Sequence, residues 1–299
     1  VKPASEWKPD MEGVFLNLPA DRYHAAPGFS HSMSLHMDPP SRLPVYLSKR
    51  EKPTQYMILG TLAHAFALEP DKPLPFIAMK PEKYPAPADS SLVKSKKVAA
   101  GDMVDWNGNA NYCKQWAADR EAEGSVIVTQ SELDELDGMV RALNAHSIVG
   151  PALANSLTEV SVFHAHSDGE DNVLRKCRID IVPIGKNALL DIKTVDEASE
   201  HTSRNKLEYE GWDTQAANNT DLFNYQNPDD YRSEFGFVLI ERKPPHVIYL
   251  CHVGQKYMEL GRLKMAERIH TYSQCTKSGI WPGNPPQWNM IEPRERRYA

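Results

Sequence analysis

Among the charged residues between Leu157 and Thr194, Glu159, Asp180, Asp191 and Lys193 stand in apolar strands where packing alone would not put them. The stretch LTEVSVFHAHSDGEDNVLRKCRIDIVPIGKNALLDIKT reads as three strands. Val160, Val162 and Phe163 lie in the first, Arg175 to Val182 in the second, and Ala188 to Lys193 in the third. Val, Ile and Leu favour extended chain, while Ser-Asp-Gly-Glu-Asp and Ile-Gly-Lys-Asn supply the turns. With Gly185-Lys186 as a two-residue loop, glycine takes the first central position of a type II′ turn. Ile184 then pairs with Asn187, Pro183 with Ala188, and Asp180 falls opposite Asp191. Paired residues share a face and side chains alternate along a strand, so Lys193 joins both carboxylates.

Facing carboxylates repel. They become sensible around a divalent cation, because Mg²⁺ is typically held by one or two carboxylates plus water and phosphate oxygens. Lys193 beside them can orient a water or offset charge building on a phosphate. The plainer alternative is a solvated Asp–Lys pair on a polar face. Leu189, Leu190 and Ile192 around the charges argue for burial instead.

The elements before this unit must bring further groups to it. Residues 54–69, TQYMILGTLAHAFALE, form the strongest helix of the first half, with Thr54 as cap and Pro70 after the end. Ile58, Leu62, Ala65 and Phe66 recur at helical spacing. His64 is polar in this apolar run, and on the helix alone a hydrogen-bonded core histidine explains it. Residues 129–146 form a second helix, capped by Thr129 or Ser131, with an apolar stripe through Leu133, Leu136, Met139, Val140 and Leu143. Residues 1–50 are rich in Pro and His, with short helices expected after Asp21 and Ser30. A short strand is expected near Phe76, and helices on both sides of Asn107-Gly108, with Trp106, Tyr112 and Trp116 as packing anchors.

Beyond Lys193, residues 196–225 read as helical, with Leu207, Tyr209, Trp212, Ala216 and Phe223 available to pack. Gln215 is a candidate substrate contact there, and equally a surface glutamine by spacing. Phe235 to Ile240 and Val247 to Val253 extend the sheet, and residues 255–278 form a helix through Met258, Leu260, Leu263, Met265, Ile269 and Tyr272. The expected fold class is α/β, a mixed sheet flanked by helices. Residues 1–155 are its mainly helical N-terminal part, 156–280 the core and 281–299 a C-terminal arm, in one elaborated domain.

Composition bounds the rest. At 299 residues with 41% hydrophobic and 25% charged, the chain is ordinary globular material. No run of about 18 apolar residues could cross a membrane, and no charged-then-apolar leader opens the chain, so the expected location is the cytoplasm. Cys113, Cys177, Cys251 and Cys275 are far apart with no C-x-x-C pair, which argues against a zinc ribbon and for reduced thiols. The net charge of −6 requires any nucleic-acid surface to be locally basic. Candidate basic stretches are Lys94, Lys96 and Lys97; Lys256, Arg262, Lys264 and Arg268; and Arg294, Arg296 and Arg297, although a plain solvated face explains each more simply.

Asp180, ten residues, then Asp191-Ile192-Lys193 resembles the PD-(D/E)XK nuclease motif. The order of helix with His, strand with Glu, strand with Asp, D-I-K strand and helix with Gln resembles the RecB branch of that superfamily. The segments YHAAPGFSHS, LGTLAHAFALEP and CRIDIVPIGKNALLDIKT are similar to RecE-type (exodeoxyribonuclease VIII) nuclease domains. The resemblance implies a restriction-endonuclease-like core and metal-dependent hydrolysis. His64 and Glu159 complete the metal or water shell, Asp180, Asp191 and the Ile192 carbonyl hold Mg²⁺ or Mn²⁺, Lys193 is the catalytic lysine, and Gln215 is the glutamine of a Q-x-x-x-Y element. This sequence departs from the pattern with Asn219 at the Tyr position and Ile179 at the motif's Pro. The resemblance further implies a duplex-DNA exonuclease, bacterial or phage-encoded, that degrades the 5′-ended strand and leaves 3′ overhangs for recombination by strand annealing. It also implies a homo-oligomeric ring, a tetramer or otherwise a trimer, working with a single-strand annealing protein. A restriction-like or junction-resolving endonuclease would use the same residues. A non-catalytic DNA-binding assembly module is the remaining alternative, weakened because every charged motif position is filled.

Overall fold

In the computed structural model, which describes residues 1–49, 52–70, 77–168 and 171–291, the strand unit is the middle of an eight-stranded mixed sheet. Numbered in chain order, its strands are β1 (Lys2–Pro3), β2 (Gly13–Leu16), β3 (Phe29–Ser30), β4 (Ser156–Asp168), β5 (Asp171–Pro183), β6 (Ala188–Val195), β7 (Glu234–Glu241) and β8 (Ile248–His252). They lie in the order β1-β2-β4-β5-β6-β7-β8, with β3 pairing beside β5. The β4–β5 and β5–β6 pairs are antiparallel. β6 and β7 run parallel, so the chain between them must cross over, and it does so through helices Glu200–Tyr209 and Trp212–Gln226.

Leu190 pairs with Ile181, the register in which Asp180 and Asp191 occupy opposed positions. Gly185 takes a left-handed φ of +67°, as its place in the turn demands. The strands nevertheless end at Pro183 and Ala188, and the expected Ile184–Asn187 pair does not form. The Ile184 N–H donates to the Asn155 carbonyl at 3.0 Å instead.

Two helix layers cover the sheet. On one face lie α1 (Gln55–Leu68) and α2 (Gln130–Ala145), whose Leu59, Leu62, Leu136 and Met139 pack with Ile181, Ile192 and Val238. Thr54 caps α1 by accepting the Met57 N–H, and Thr129 with Glu132 forms a reciprocal capping box on α2. On the other face α3 (Trp212–Gln226) and α4 (Gln255–Ser278) bring Ala216, Phe223 and Met258 against Val160, Val162 and Phe237. Leu260 and Leu263 of α4 and Tyr209 face outward, against the packing expected of them. The stripe of α4 that packs runs through Met258, Met265 and Ile269.

The N-terminal part is less purely helical than expected. It supplies β1, β2 and β3 to the main sheet, strands too short to show alternation. The helices expected on both sides of Asn107-Gly108 are Ser91–Lys94 and Asn111–Ala122, with Met103–Asp105 between them a strand paired with Lys83–Pro85. All four cysteines are buried and free, and no helix among the described residues is long and apolar enough to cross a membrane. The arm leaves α4 with Trp281 near Tyr272 and a Pro282 carbonyl accepting the Ser41 N–H, and its Trp288 is fully exposed. Phe76, Gly169, Glu170 and the arginines at 294, 296 and 297 lie outside the described residues.

Candidate active site

β5 and β6 part where the charged residues lie. Beyond the Leu190–Ile181 pair, β6 keeps its pairing with β7, while β5 takes β3 as partner at Arg175 and Lys176. Asp180 fills the opening: its Oδ2 accepts the Ile192 main-chain N–H at 2.8 Å. On the other side of β5, pairing runs Thr158–Ile181 and Val160–Ile179, with Glu159 between them at φ +52°. A left-handed non-glycine residue inside a strand is strained, and such strain persists where surrounding structure enforces it.

α1 delivers His64 to this fork. A carbonyl can only accept, so His64 Nε2 donates to the Ile192 carbonyl at 2.9 Å. Its Nδ1 faces Asp180 Oδ2 at 3.4 Å and Glu159 Oε1 at 4.0 Å. His64, Glu159 and Asp180 each present one ligand atom, all within 4.8 Å of one another. A histidine whose second N–H is fixed by a main-chain carbonyl is the usual arrangement of a metal ligand. Burial, and then the charge of Asp191, push the Asp180 carboxyl up to about 7, with His64 opposing. Protons and cations therefore compete for the same oxygens.

Asp191 stands beside this trio, only 2% exposed. Gln215, from the first turn of α3, donates Nε2 to Asp191 Oδ2 at 2.6 Å. The Lys193 ammonium lies 2.7 Å from Asp191 Oδ1, yet that oxygen receives no well-directed hydrogen bond and stays buried. Lys193 Nζ also sits 5.7 Å from the ring centroids of Trp212 and Phe237. One buried carboxylate oxygen without an aligned donor, and three further ligand atoms converging nearby, form an oxygen-rich donor set suited to a hard divalent cation. Asp180, Glu159 and His64 would hold it, with Asp191 Oδ1 and the Ile192 carbonyl available on the adjoining side.

The structure thus brings His64, Glu159, Asp180, Asp191, Ile192, Lys193 and Gln215 into one fork. Gln215 contacts a site carboxylate and is not a surface residue. Asn219, one turn further along α3, is buried at 2% exposure beside Asn218.

Sequence reasoning missed three contributors. Arg178 pairs its Nε with Glu159 Oε2, donates to the Leu18 carbonyl at 2.9 Å and lies 3.9 Å from Glu69. Its position two residues before Asp180 was the available signal. Lys176 donates Nζ to the Tyr23 and Ala26 carbonyls at 3.0 and 2.6 Å, and its burial lowers its pKa to about 8. His31 contacts the Gly211 carbonyl at 2.8 Å, bracing the left-handed residue that starts α3, and burial lowers its pKa to about 4. Together with Tyr23, Arg178 and Gln215 these residues line a cavity of about 100 Å³ beside the fork.

Residues 45–292 match the family model described as a PDDEXK-like domain of unknown function, DUF3799. No curated protein matches the chain. Among solved structures, a proposed exonuclease from Eubacterium rectale aligns over 88% of both chains with a TM-score of 0.54 at 11% identity, a likeness of fold. A second, SSO0001, covers 46% of this chain and 58% of its own at 17% identity with a TM-score of 0.28, too low to bear on the fold. The matched residues take in His64, Glu159, Asp180, Asp191, Lys193 and Gln215, and on that match the chain belongs to the PDDEXK-like DUF3799 family.

Proposed function

We propose that this protein is a metal-dependent exodeoxyribonuclease acting on duplex DNA with a free end. The observation that carries the reading is the fork itself. Three buried or half-buried carboxylates, a histidine with its Nδ1 turned toward two of them, and a lysine against the third converge where two strands separate. Such charge concentration is costly as packing and useful as a cation and phosphate site.

A bound Mg²⁺, or Mn²⁺ in its place, supplies positive charge that favours hydroxide at neutral pH and offsets charge on the phosphate. The chain's own residues do the rest. Lys193 orients the attacking water and faces the phosphate oxygens. Gln215 holds Asp191 in place through Oδ2, and Arg178 holds Glu159. Water adds to phosphorus, the P–O bond to the departing nucleotide breaks, and that oxygen leaves with a proton.

The finer reading follows the resemblance to RecE-type domains: 5′-to-3′ degradation leaving 3′ single strand for recombination, in a closed homo-oligomer of four or otherwise three subunits, with an annealing protein as partner. Closed rotational symmetry would let several subunits surround a duplex. The exposed arm residues Trp288, Met290 and Ile291 are available for such contacts. The protein incubated with Mg²⁺ and duplexes labelled at either end, linear or covalently closed, tests this. Release of the 5′ label from linear DNA with intact circles is expected. Rapid cutting of closed circles would favour an endonuclease instead, and no cutting of any DNA would leave a binding module.

A further inference from the structure

Residues 77–128 form a segment outside the main sheet. It is built on two short ladders, Ile77–Met79 with Val126–Val128 and Lys83–Pro85 with Met103–Asp105, and on the helix Asn111–Ala122. An open cavity of about 380 Å³ lies between that helix and the residues leading into α1. Trp106 and Trp116 line it, edge to face with centroids 5.4 Å apart at 81°. Tyr84 and Tyr112 stack next to Trp106. None of these four rings belongs to the clusters that pack the main sheet.

Three lysines line the same cavity, Lys52, Lys80 and Lys114, against one acid, Glu121. Lys52 pairs with Glu121 at 2.8 Å, so that charge is answered. Lys80 and Lys114 make no ion pair or side-chain hydrogen bond among the described residues. On a chain of net charge −6, a pocket with two unanswered ammonium groups beside half-buried indoles is a local reversal of sign.

We propose that this cavity binds single-stranded nucleic acid, with a base against the Trp106 and Trp116 indoles and phosphates at Lys80 and Lys114. Aromatic faces accept any base, and flanking cations track the backbone without reading sequence. A hydrogen bond links the pocket to the helix that carries His64. Gln55, the first residue of α1, donates to the carbonyl of Ile127, which lines the cavity, at 3.1 Å. His64 follows nine residues later on that helix, about 14 Å away at the usual helical rise. Resting on the nuclease reading, this site would hold the strand that hydrolysis leaves unpaired.

The test uses the full chain in Ca²⁺ with fluorescently labelled oligo-dT, matched duplex, and dTMP as competitor, over a series of salt concentrations. Lys80→Ala with Lys114→Ala should weaken single-strand binding and make the slope of log affinity against log salt shallower by about 1.4, as two lost phosphate contacts require. Trp106→Leu should weaken it about five-fold or more. The lysine variant carries the test if the indole variant folds poorly. Unchanged affinity and slope in the lysine variant overturn the proposal, as does equal loss of duplex binding. Competition by dTMP at the strand's own affinity would mark a mononucleotide pocket and overturn it too. Asp191→Asn should abolish cleavage and leave strand binding intact. Lysine-dependent strand binding by a wild-type protein that cuts no DNA would retain this site and remove the nuclease reading.

Discussion

Asp180 accepts the Ile192 main-chain N–H at 2.8 Å, on the edge of β6 that regular pairing with β5 would otherwise cover. The Ile192 carbonyl on the same edge takes His64 at 2.9 Å. Two site side chains therefore replace main-chain partners, and the sheet is held open by the groups that would bind the cation. Asp180→Asn keeps an acceptor for Ile192 and loses the charge, so Mn²⁺ binding by calorimetry should weaken severely with little loss of stability. Asp180→Ala should lose both, with roughly 1–3 kcal/mol of added instability from the stranded N–H. Asp191→Asn should also weaken Mn²⁺ binding. Wild-type affinity in both asparagine variants would remove these residues from the metal site.

Arg178 pairs with the side chain of Glu159, whose backbone is left-handed. Both side chains are nearly buried, at 12% and 13% exposure, so removing one leaves the other with only longer contacts, Arg178 to Glu69 at 3.9 Å or Glu159 to His64 at 4.0 Å. Arg178→Ala should cost about 3 kcal/mol in urea unfolding, near the lower end for a broken buried pair. Adding Glu159→Gln to it should recover part of that loss. Strictly additive losses would mean that the two residues do not act as a pair.

Much of this site was legible in the sequence because β-structure converts spacing into geometry. The turn at Gly185 and the alternation through Ile192 suffice to align Asp180 with Asp191, and the register agrees at Leu190–Ile181. His64 was visible as a polar interruption, but its target was not, since helix periodicity says nothing about which strand lies beneath. The fork itself was illegible. It rests on side chains of Asp180 and His64 taking the Ile192 main-chain groups, and on a β3 partner for β5, Phe29–Ser30, that is too short to carry a period. Arg178 and Lys176 were hidden for another reason: basic residues in a strand are read as a solvated face until their carbonyl and carboxylate partners are known.

The pH dependence follows from Asp180. Its carboxyl is raised to about 7 by burial and by the charge of Asp191, against an ordinary value near 4. A raised folded value favours the protonated fold. This group's contribution to stability is therefore fully present below about pH 4 and lost as pH rises through about 7. Metal-free protein in EDTA should lose melting temperature over that window. A cation displaces the proton, so Mn²⁺ affinity should rise with pH up to about 7 and then level off. In Asp180→Asn both slopes should flatten, and a wild-type melting profile in that variant would assign the dependence to another group.

Lys193 is separable from the proposed metal ligands by its chemistry. A protonated amine has three donors and no acceptor, so it can act on water or phosphate and not on the cation. Its ammonium is held at 2.7 Å from Asp191 and steadied by the Trp212 and Phe237 rings, a compact charge in a fixed place. Lys193→Ala should keep Mn²⁺ and DNA binding while losing turnover by about 10²–10³-fold or more, the scale for one preorganised electrostatic group. Lys193→Arg should rescue poorly, because a planar guanidinium does not replace an ammonium in a slot bounded by two rings. Single-turnover cleavage at saturating Mg²⁺, beside DNA affinity measured in Ca²⁺, separates the two effects. Near wild-type cleavage by Lys193→Ala would reduce the lysine to a counter-charge for Asp191, and the chemistry would then rest on the carboxylates and His64.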